Sequence, residues 1–307
     1  MNVINCYQPE FTQHPAIDPS QILDCHYQHE TRRSLLLNEF AHCVAVILDP
    51  QAFTLRIDTR APDAAAHVVS PRLQCLNQAA IDCVTLPELD EELRLYALGV
   101  MLSTASNIDD ETEACEKIAR MPGCLANHAI NGELQRMYAE LPSIDLLKNR
   151  LIRELGVMSF DWNRLPDNPR SQTLPMQISL LMLQDASSEA QMQQQLAQVW
   201  RERGAASLVG QPWVLTHYLV YRLYHDMFPG DNAAHSYLQL TCDFFQLKTL
   251  FSLWMIDGTE LTPEDMAALI GLFEHWRISD AQMQERDCMH ELFAGNDLLA
   301  AFSLIAR

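Results

Sequence analysis

The sequence predicts an all-α fold: a bundle-like body of many helices in two packed sub-domains, with at most one short strand or hairpin. Three observations predict it. Apolar residues recur at helical spacing through the most hydrophobic segment, 231–257. Several segments open with helix-start residues, most clearly Thr-Pro-Glu-Asp at 262–265. The alternation typical of a strand occurs briefly at 53–58, as one short strand or an extended loop.

Helical patterns in the N-terminal half lead up to a proline-rich stretch. Proline cannot continue a helix and drives the residue before it to extended geometry, so the prolines at 166, 169 and 175 mark a linker. The chain therefore divides into an N-terminal helical sub-domain at 1–157, a linker at 158–175 and a C-terminal helical sub-domain at 176–307. The helices expected in the first part cover residues 31–48, 88–106, 110–121, 125–140 and 143–157.

The helices expected in the C-terminal half have recognisable beginnings. Ser188 and Gln191 form the start signal of a glutamine-rich helix that ends near Gly204, and residues 211–228 form the next helical segment. The signal at 262–265 is repeated at 279–282 for a later helix. Between them lies the central helix, whose apolar positions at steps of 4, 3, 4 and 3 are expected in the core: Leu240, Phe244, Leu247, Phe251 and Trp254.

The chain is strongly acidic. Its 307 residues include 40 acidic and 21 basic residues, so the formal charge is −19. Such a surface repels phosphate backbones and anionic lipid, which excludes nucleic acid and membrane surfaces as partners. It attracts a protein partner with a basic or lysine-rich segment. An acidic surface is also a common solubility device.

Cysteine usage and the N-terminal residues bear on location. No run approaches the ~20 apolar residues of a membrane span. Residues 1–6 lack the basic and apolar regions of a secretory signal. The nine cysteines include no C-x-x-C pair, which is typical of reduced thiols. We expect a cytoplasmic protein.

The ten glycines are widely spaced, and the closest two are Gly204 and Gly210. This excludes G-x-G-x-x-G and G-x-x-x-x-G-K-[ST], and it argues against a Rossmann-type loop for a nucleotide or S-adenosylmethionine. The sequence also lacks G-x-S-x-G and H-E-x-x-H. Motifs alone therefore identify no catalytic residue.

One local cluster contains metal-ligating residue types. Cys25-His26-x-x-His29 is followed, after twelve intervening residues, by His42-Cys43. Thiolate and imidazole ligands suit zinc or iron. On a helix His26 and His29 share a face, whereas His42 and Cys43 diverge by about 100°. The candidate metal ligands are therefore Cys25, His26, His29 and Cys43, and the alternative is a buried thiol with surface histidines.

The apolar helices near the C-terminus contain two further groups of interest. Three histidines form either a proton-handling group or satisfied edge residues: His217, His225 and His235. Three tyrosines either line a channel for an alkylammonium group by cation–π contact or pack in the core with their hydroxyls at its rim: Tyr218, Tyr221 and Tyr224.

Segments along nearly the whole chain resemble the bacterial flagellin lysine-N-methylase family. Tyr-Gln-Pro-Glu-Phe at 7–11, followed by Ile17, is similar to the family's opening. Glu-x-Arg-x-Ser-Leu-x-Leu at 30–37 and Ile-Leu-Asp-Pro-x-Ala at 47–52 resemble the helix after its cysteine-rich region. The segment 218–224, Phe-Pro at 228–229, the apolar helix and Leu-Thr-x-Glu-Asp at 261–265 follow in the family's order.

The resemblance implies a reaction and two cofactors. The family transfers a methyl group from S-adenosylmethionine to flagellin lysines and is taken to hold an iron–sulfur cluster with an N-terminal C-x-x-x-C-C run and further cysteines. This sequence lacks that run, because it passes from Phe11 to Cys25 and Glu30. Cys25 matches the last cysteine of the region by position alone. The family's catalytic residues are therefore not carried over.

Three hypotheses remain open. The favoured one is a degenerate relative that binds flagellin or another lysine-rich partner without catalysis and without a cofactor. The second is an active methylase that uses an iron–sulfur cluster and S-adenosylmethionine through unidentified ligands. The third is a helical interaction or adaptor module, either metal-free or stabilised by zinc at the four candidate ligands.

Overall fold

Helices dominate the part of the chain that the structure describes, and the all-α prediction is confirmed. The structure is a computed structural model that describes residues 4–13, 17–27, 30–60, 70–108, 111–279 and 295–306. Extended structure within these residues is confined to short strands before residue 61.

The N-terminal part contains more strands than the sequence predicted. Its elements are β1 (Ile4–Pro9), β2 (Leu23–Tyr27), β3 (Glu30–Ser34), α1 (Phe40–Ile47) and β4 (Leu55–Arg60). In the described residues β1 pairs with β4 and β2 pairs with β3, both antiparallel. The helix predicted over 31–48 is therefore wrong in its first part, because cross-strand pairing fixes 30–34 as a strand. Strand formation depends on such context more than helix formation does.

Five helices follow in the part of the N-terminal half that the structure describes, with 3₁₀ turns at Glu10–Gln13 and Pro19–Gln21 before them. They are α2 (Pro71–Val84), α3 (Glu91–Ala105), α4 (Glu111–Ile130), α5 (Glu133–Ala139) and α6 (Asp145–Glu154).

Two of these helices differ from the prediction. Helix α2 was not predicted, although Ser70 caps it by accepting from the backbone N–H of Leu73 and Pro71 occupies its first position. Helix α4 runs without a break through Pro122, where two helices were expected. The break falls instead at Gly132, whose φ of 72° places it in the left-handed region.

The segment predicted as a linker is partly helical. It contains a 3₁₀ turn at Trp162–Arg164, and α7 (Pro169–Leu180) begins inside it. Pro169 occupies the first helical position, where its missing N–H costs nothing, and Asn168 caps the helix. The segment 158–175 is therefore extended only up to Asn168, apart from the 3₁₀ turn, and its role as a linker stays a prediction. One hydrophobic cluster contains buried residues from both sides of the segment, and the two sub-domains stay a prediction.

Six further helices lie in the described residues of the C-terminal half, joined in places by other helical turns. They are α8 (Ala186–Val199), α9 (Ala205–Ser207), α10 (Val214–His225), α11 (Ala233–Met255), α12 (Pro263–Arg277) and α13 (Asp297–Ile305). A 3₁₀ turn at Leu181–Leu183 precedes α8, and a π-helical turn at Trp200–Gly204 follows it.

One helix cap was predicted correctly from the sequence, and another differs from its prediction. Thr262 and Asp265 form the predicted capping box of α12. Helix α8 starts three residues earlier than predicted, because Asp185 is its cap and accepts from the backbone N–H of Ser188. The helix predicted after Ser279 lies outside the described residues.

Helix α11 forms the centre of the hydrophobic core, where it packs against α13, α12, α8, α3 and α6. Phe251 stacks on Trp200 with ring centroids 6.4 Å apart. The Trp254 indole N–H donates to the carbonyl of Glu260. The five apolar positions singled out from the sequence are all buried: Leu240, Phe244, Leu247, Phe251 and Trp254.

Within the ranges described above, the helices do not combine the length and apolarity that a membrane crossing requires.

Candidate functional site

The predicted metal ligands do not share the helix assumed for them. Residues 23–27 form β2, so the helical spacing of His26 and His29 does not apply. His29 lies outside the described residues, and for Cys25 and His26 the description covers the backbone. Cys43 is fully buried in α1, and its thiol donates to the carbonyl of Leu37 at 3.2 Å. The four-ligand zinc site therefore stays a prediction.

Cys43 behaves as a structural thiol. Burial, together with the nearby carboxylates of Glu274 and Glu39, raises the pKa of this thiol well above its ordinary value. Metal ligation requires the thiolate form. His42, the adjacent residue, directs Nδ1 to the carbonyl of Leu36 at 3.3 Å. Both side chains thus have partners within the loop that leads into α1.

The other cysteines whose side chains the structure describes lie on three helices. Cys75 and Cys83 belong to α2, Cys115 and Cys124 to α4, and Cys242 to α11. Burial and the neighbouring Cys115 thiol raise the pKa of Cys75 to about 12. Three metal-ligating side chains do not come together anywhere in the described ranges. The described cysteines therefore do not fit the four thiolates that hold an iron–sulfur cluster.

A buried ionic cluster joins α10, α11 and α12. Arg222 of α10 places Nη1 2.7 Å from Oδ2 of Asp243 in α11 and 3.9 Å from Oε1 of Glu274 in α12. Its Nε lies 2.9 Å from Oδ2 of Asp226. Arg277 then bridges Glu274, at 2.7 Å, and Asp226, at 3.2 Å. We call these five residues the Arg222 cluster.

The charges of the Arg222 cluster balance within one unit, since three carboxylates face two guanidinium groups. Burial raises the pKa of Asp226, but Arg277 and Arg222 outweigh burial and hold that pKa well below its ordinary value. Such a carboxylate is a weak base. Tyr218 belongs to the same network, because its hydroxyl donates to Glu274 at 2.9 Å and accepts from Arg222 at 3.0 Å. The network is therefore suited to fixing three helices rather than to accepting protons.

Tyr221, Tyr224 and His225 of α10 attach residues 33–37 of the N-terminal part to the helical body. The Tyr221 hydroxyl accepts from the backbone N–H of Leu37, and the Tyr224 hydroxyl donates to the carbonyl of Arg33. His225 Nδ1 lies 2.7 Å from the Ser34 hydroxyl. All three tyrosines are buried. They follow the core-packing alternative and do not line a channel.

Two further histidines of the C-terminal half have partners as well. His217 is buried, with Nδ1 3.2 Å from the carbonyl of Ile47. His235 lies 3.7 Å from Asp297. His217 and His235 are therefore separate edge contacts. They do not form a proton-handling group.

A surface groove lies between α6 and α8 and has a volume of about 430 Å³. Arg153 spans it to Glu189 at 3.2 Å, and Arg150 pairs with Glu154 at 3.1 Å. We call it the α6–α8 groove. Its lining combines apolar side chains with two neutralised ion pairs: Leu146, Asn149, Arg150, Arg153, Glu154, Val157, Met182 and Glu189.

Exposed apolar side chains are frequent in the segment of the chain that contains this groove. Of the twelve large apolar side chains exposed in the described residues, five lie between 146 and 183. Met176, Leu180 and Leu183 follow one another at steps of 4 and 3, on the face of α7 and the following turn opposite to buried Leu174 and Ile178. We call these three residues, together with Leu146 and Val157 of the groove lining, the exposed apolar patch. Concentrated exposed apolar surface is typical of protein interaction sites.

The sequence did not reveal the Arg222 cluster or the exposed apolar patch. Charged residues inside otherwise apolar helices, such as Asp243 and Glu274, were a usable signal for the cluster, because buried charges require partners. The patch gave no signal, because its residues have the same helical spacing as core residues.

The fold and these sites define an all-α protein with a buried ionic cluster and a surface groove lined by both apolar and charged side chains. Residues 77–304 match the family described as FliB lysine N-methylase C-terminal domain. The chain belongs to this family, which confirms the resemblance seen in the sequence. The match extends from α2 to α13 and so includes both the Arg222 cluster and the groove. No curated protein and no solved structure matches the chain.

Proposed function

We propose that this chain binds flagellin or another lysine-bearing protein and does not transfer methyl groups by itself. The observation behind the proposal is that the six cysteines whose side chains the structure describes lie on α1, α2, α4 and α11, and that three metal-ligating side chains do not come together in the described residues. Family membership supplies the class of partner. The formal charge of −19 favours a partner segment that contains lysines.

Catalysis of lysine methylation has requirements that the Arg222 cluster does not supply. Lysine is a nucleophile only when deprotonated, and its reference pKa is near 10.4. An enzyme must therefore supply a base and hold the methyl donor close to the amine. The carboxylates of the Arg222 cluster are paired with Arg222 and Arg277, and Asp226 is a weak base.

The α6–α8 groove and the exposed apolar patch are the contact surface in this proposal. An amphipathic segment buries its apolar side chains against Leu146 and Leu183, which are 73% and 80% exposed. Glu154 and Glu189 at the groove can exchange their arginine partners for lysines of the segment. Apolar anchors with charged residues around them are the usual anatomy of a protein interface.

A binding measurement with matched variants tests the contact surface. We expect Leu146→Glu to weaken flagellin binding by about tenfold or more, because it places a charge where apolar contact is made. Ile130→Glu is the control, since Ile130 is 82% exposed and lies on α4 outside the groove. Equal loss of affinity in both variants, or none in either, would contradict the groove as the contact.

A second assay tests the absence of catalysis. The protein is incubated anaerobically with flagellin and labelled S-adenosylmethionine after reconstitution with iron and sulfide. We expect no label on flagellin lysines. Stoichiometric label would return the chain to the methylase class. Zinc in the purified protein, without binding to flagellin, would favour the zinc-stabilised adaptor.

A further inference from the structure

We propose that the α6–α8 groove takes up one lysine side chain of the partner, whose ammonium group displaces Arg153 from Glu189 and donates to Asn149. This inference rests on the proposed function and names the chemical group that the groove selects. Three features of the groove support it: a buried acceptor, a carboxylate whose arginine partner is exposed, and apolar side chains that suit the stem of a lysine.

Asn149 carries a hydrogen-bond acceptor that the rest of the described chain does not use. It lies on α6 and lines the groove, and its Oδ1 is buried without a hydrogen-bond partner among the described residues. A buried acceptor that receives no hydrogen bond lowers stability. A ligand that brings an N–H donor into the groove removes this penalty, so Asn149 favours such a ligand.

Arg153 lies one helical turn after Asn149, on the same side of α6. It reaches across the groove to Glu189 of α8 at 3.2 Å, and its side chain is 47% exposed, whereas that of Glu189 is 16% exposed. An ion pair with so exposed a member contributes little. Arg153 can therefore turn out into solvent at low cost, and Glu189 stays in the groove as the acceptor for an incoming cation.

A lysine side chain has the chemistry that this arrangement requires. Its ammonium group carries three donors at the end of a flexible four-carbon stem. One donor serves Oδ1 of Asn149, another serves the carboxylate of Glu189, and the third reaches water. The stem can pack against the apolar part of the lining, which includes Leu146, Val157 and Met182.

Two synthetic peptides test the contact on the full chain. One is acetyl-Ala-Leu-Lys-Leu-Ala-amide, and the other has norleucine in place of lysine, so that an apolar end replaces the ammonium group. We expect the wild-type protein to prefer the lysine peptide in calorimetric titration. Asn149→Leu should reduce this preference by about tenfold, because it removes the acceptor without changing the charge of the protein. Asn127→Leu is the matched control, since Asn127 is exposed on α4 and does not line the groove.

A second variant tests the displacement of the arginine. Arg153→Gln should bind the lysine peptide about threefold more tightly, because the ammonium group no longer competes with a guanidinium group for Glu189. The urea midpoint of each variant shows whether it is folded. The inference is overturned if Asn149→Leu keeps the wild-type preference, if Asn127→Leu loses as much of it, or if Arg153→Gln binds the lysine peptide more weakly. Failure of the wild-type protein to bind the lysine peptide overturns it as well.

The peptide results separate this inference from the proposed function. If Leu146→Glu weakens flagellin binding but the peptide preference does not depend on Asn149, the proposed function stands and the lysine pocket is wrong. If the preference depends on Asn149 but flagellin does not bind, the lysine pocket stands and flagellin is not its source of lysine.

Discussion

Arg222 and Asp243 form an ion pair in the interior, with Nη1 and Oδ2 2.7 Å apart and side chains only 5% and 2% exposed. The pair joins α10 to α11, and Glu274 and Arg277 extend the connection to α12. Burial lowers the pKa of Arg222, but the Tyr218 hydroxyl and the surrounding carboxylates outweigh it, and the pKa lies well above its ordinary value. The guanidinium group is therefore charged at every pH at which the protein is folded.

Replacement of Arg222 by methionine is expected to lower the free energy of unfolding by about 3–5 kcal/mol, because it leaves buried carboxylates without their counter-charge. Urea denaturation measures the change. Arg120→Ala is the control: Arg120 pairs with Glu116 on the surface, both largely exposed, so its loss costs at most about 1 kcal/mol. The double change Arg222→Met with Asp243→Leu should recover much of the loss. If Arg222→Met lowers the free energy of unfolding as little as Arg120→Ala does, the Arg222 cluster does not stabilise the fold.

Replacement of Phe251 by alanine tests the centre of the core. Phe251 is fully buried and stacks on Trp200, so the change removes a large apolar side chain and leaves a cavity. The expected loss is about 3–5 kcal/mol of unfolding free energy. Ile130→Ala, at an exposed position, should change it by about 0.5 kcal/mol or less. A loss below about 1 kcal/mol for Phe251 would mean that this face of α11 is not tightly packed.

Features that depend on a single helix could be predicted from the sequence. The buried face of α11 follows from the spacing of its apolar residues, and the capping box of Thr262 and Asp265 involves residues three apart. Both depend on helix geometry alone, which the local sequence determines. The start of α2 at Ser70 and Pro71 was equally local. It was missed because the helix itself contains polar residues such as Asn77, which is buried.

Features that depend on residues far apart in the chain could not be predicted from the sequence. Asn77 is polar and buried because its amide donates to the carbonyls of Leu223 and Phe228, about 150 residues away. The strand at 30–34 forms because 23–27 lies beside it, and the Arg222 cluster needs three helices in register. Many of the helices could be predicted from the sequence, but their positions relative to one another could not. Those positions determine which residues meet in the Arg222 cluster and around Asn77.

Trypsin provides a test of the segment 158–175. Arg164 lies at the end of a 3₁₀ turn and is 27% exposed, whereas Arg170 lies in α7, is 4% exposed and donates to the carbonyl of Trp254. Cleavage requires local opening of the backbone. Within this segment we therefore expect the cut after Arg164, and Arg164→Gln should delay it. The fragments should stay together on gel filtration, since the hydrophobic cluster includes both sides. Separation of the fragments, or a first cut after Arg170, would contradict this packing.

His217 is expected to make the protein less stable as the pH falls. Burial lowers the pKa of this imidazole to about 4, against about 6.5 in the unfolded chain, although the bond to Ile47 opposes the shift. Between these values the unfolded state binds the proton and the folded state does not, so stability is fully present above pH ~6.5 and is lost towards pH ~4. The full difference corresponds to about 3 kcal/mol.

The His217→Gln variant removes this contribution while keeping a donor for the Ile47 carbonyl. Its free energy of unfolding should fall less steeply than that of the wild-type protein between about pH 6.5 and pH 4. A residual slope is expected from His225, whose pKa burial also lowers. The imidazole resonances of the folded wild-type protein give a direct check, since those of His217 should titrate near pH 4. Parallel stability curves for the two proteins, or titration of His217 near pH 6.5, would show that this side chain reaches solvent.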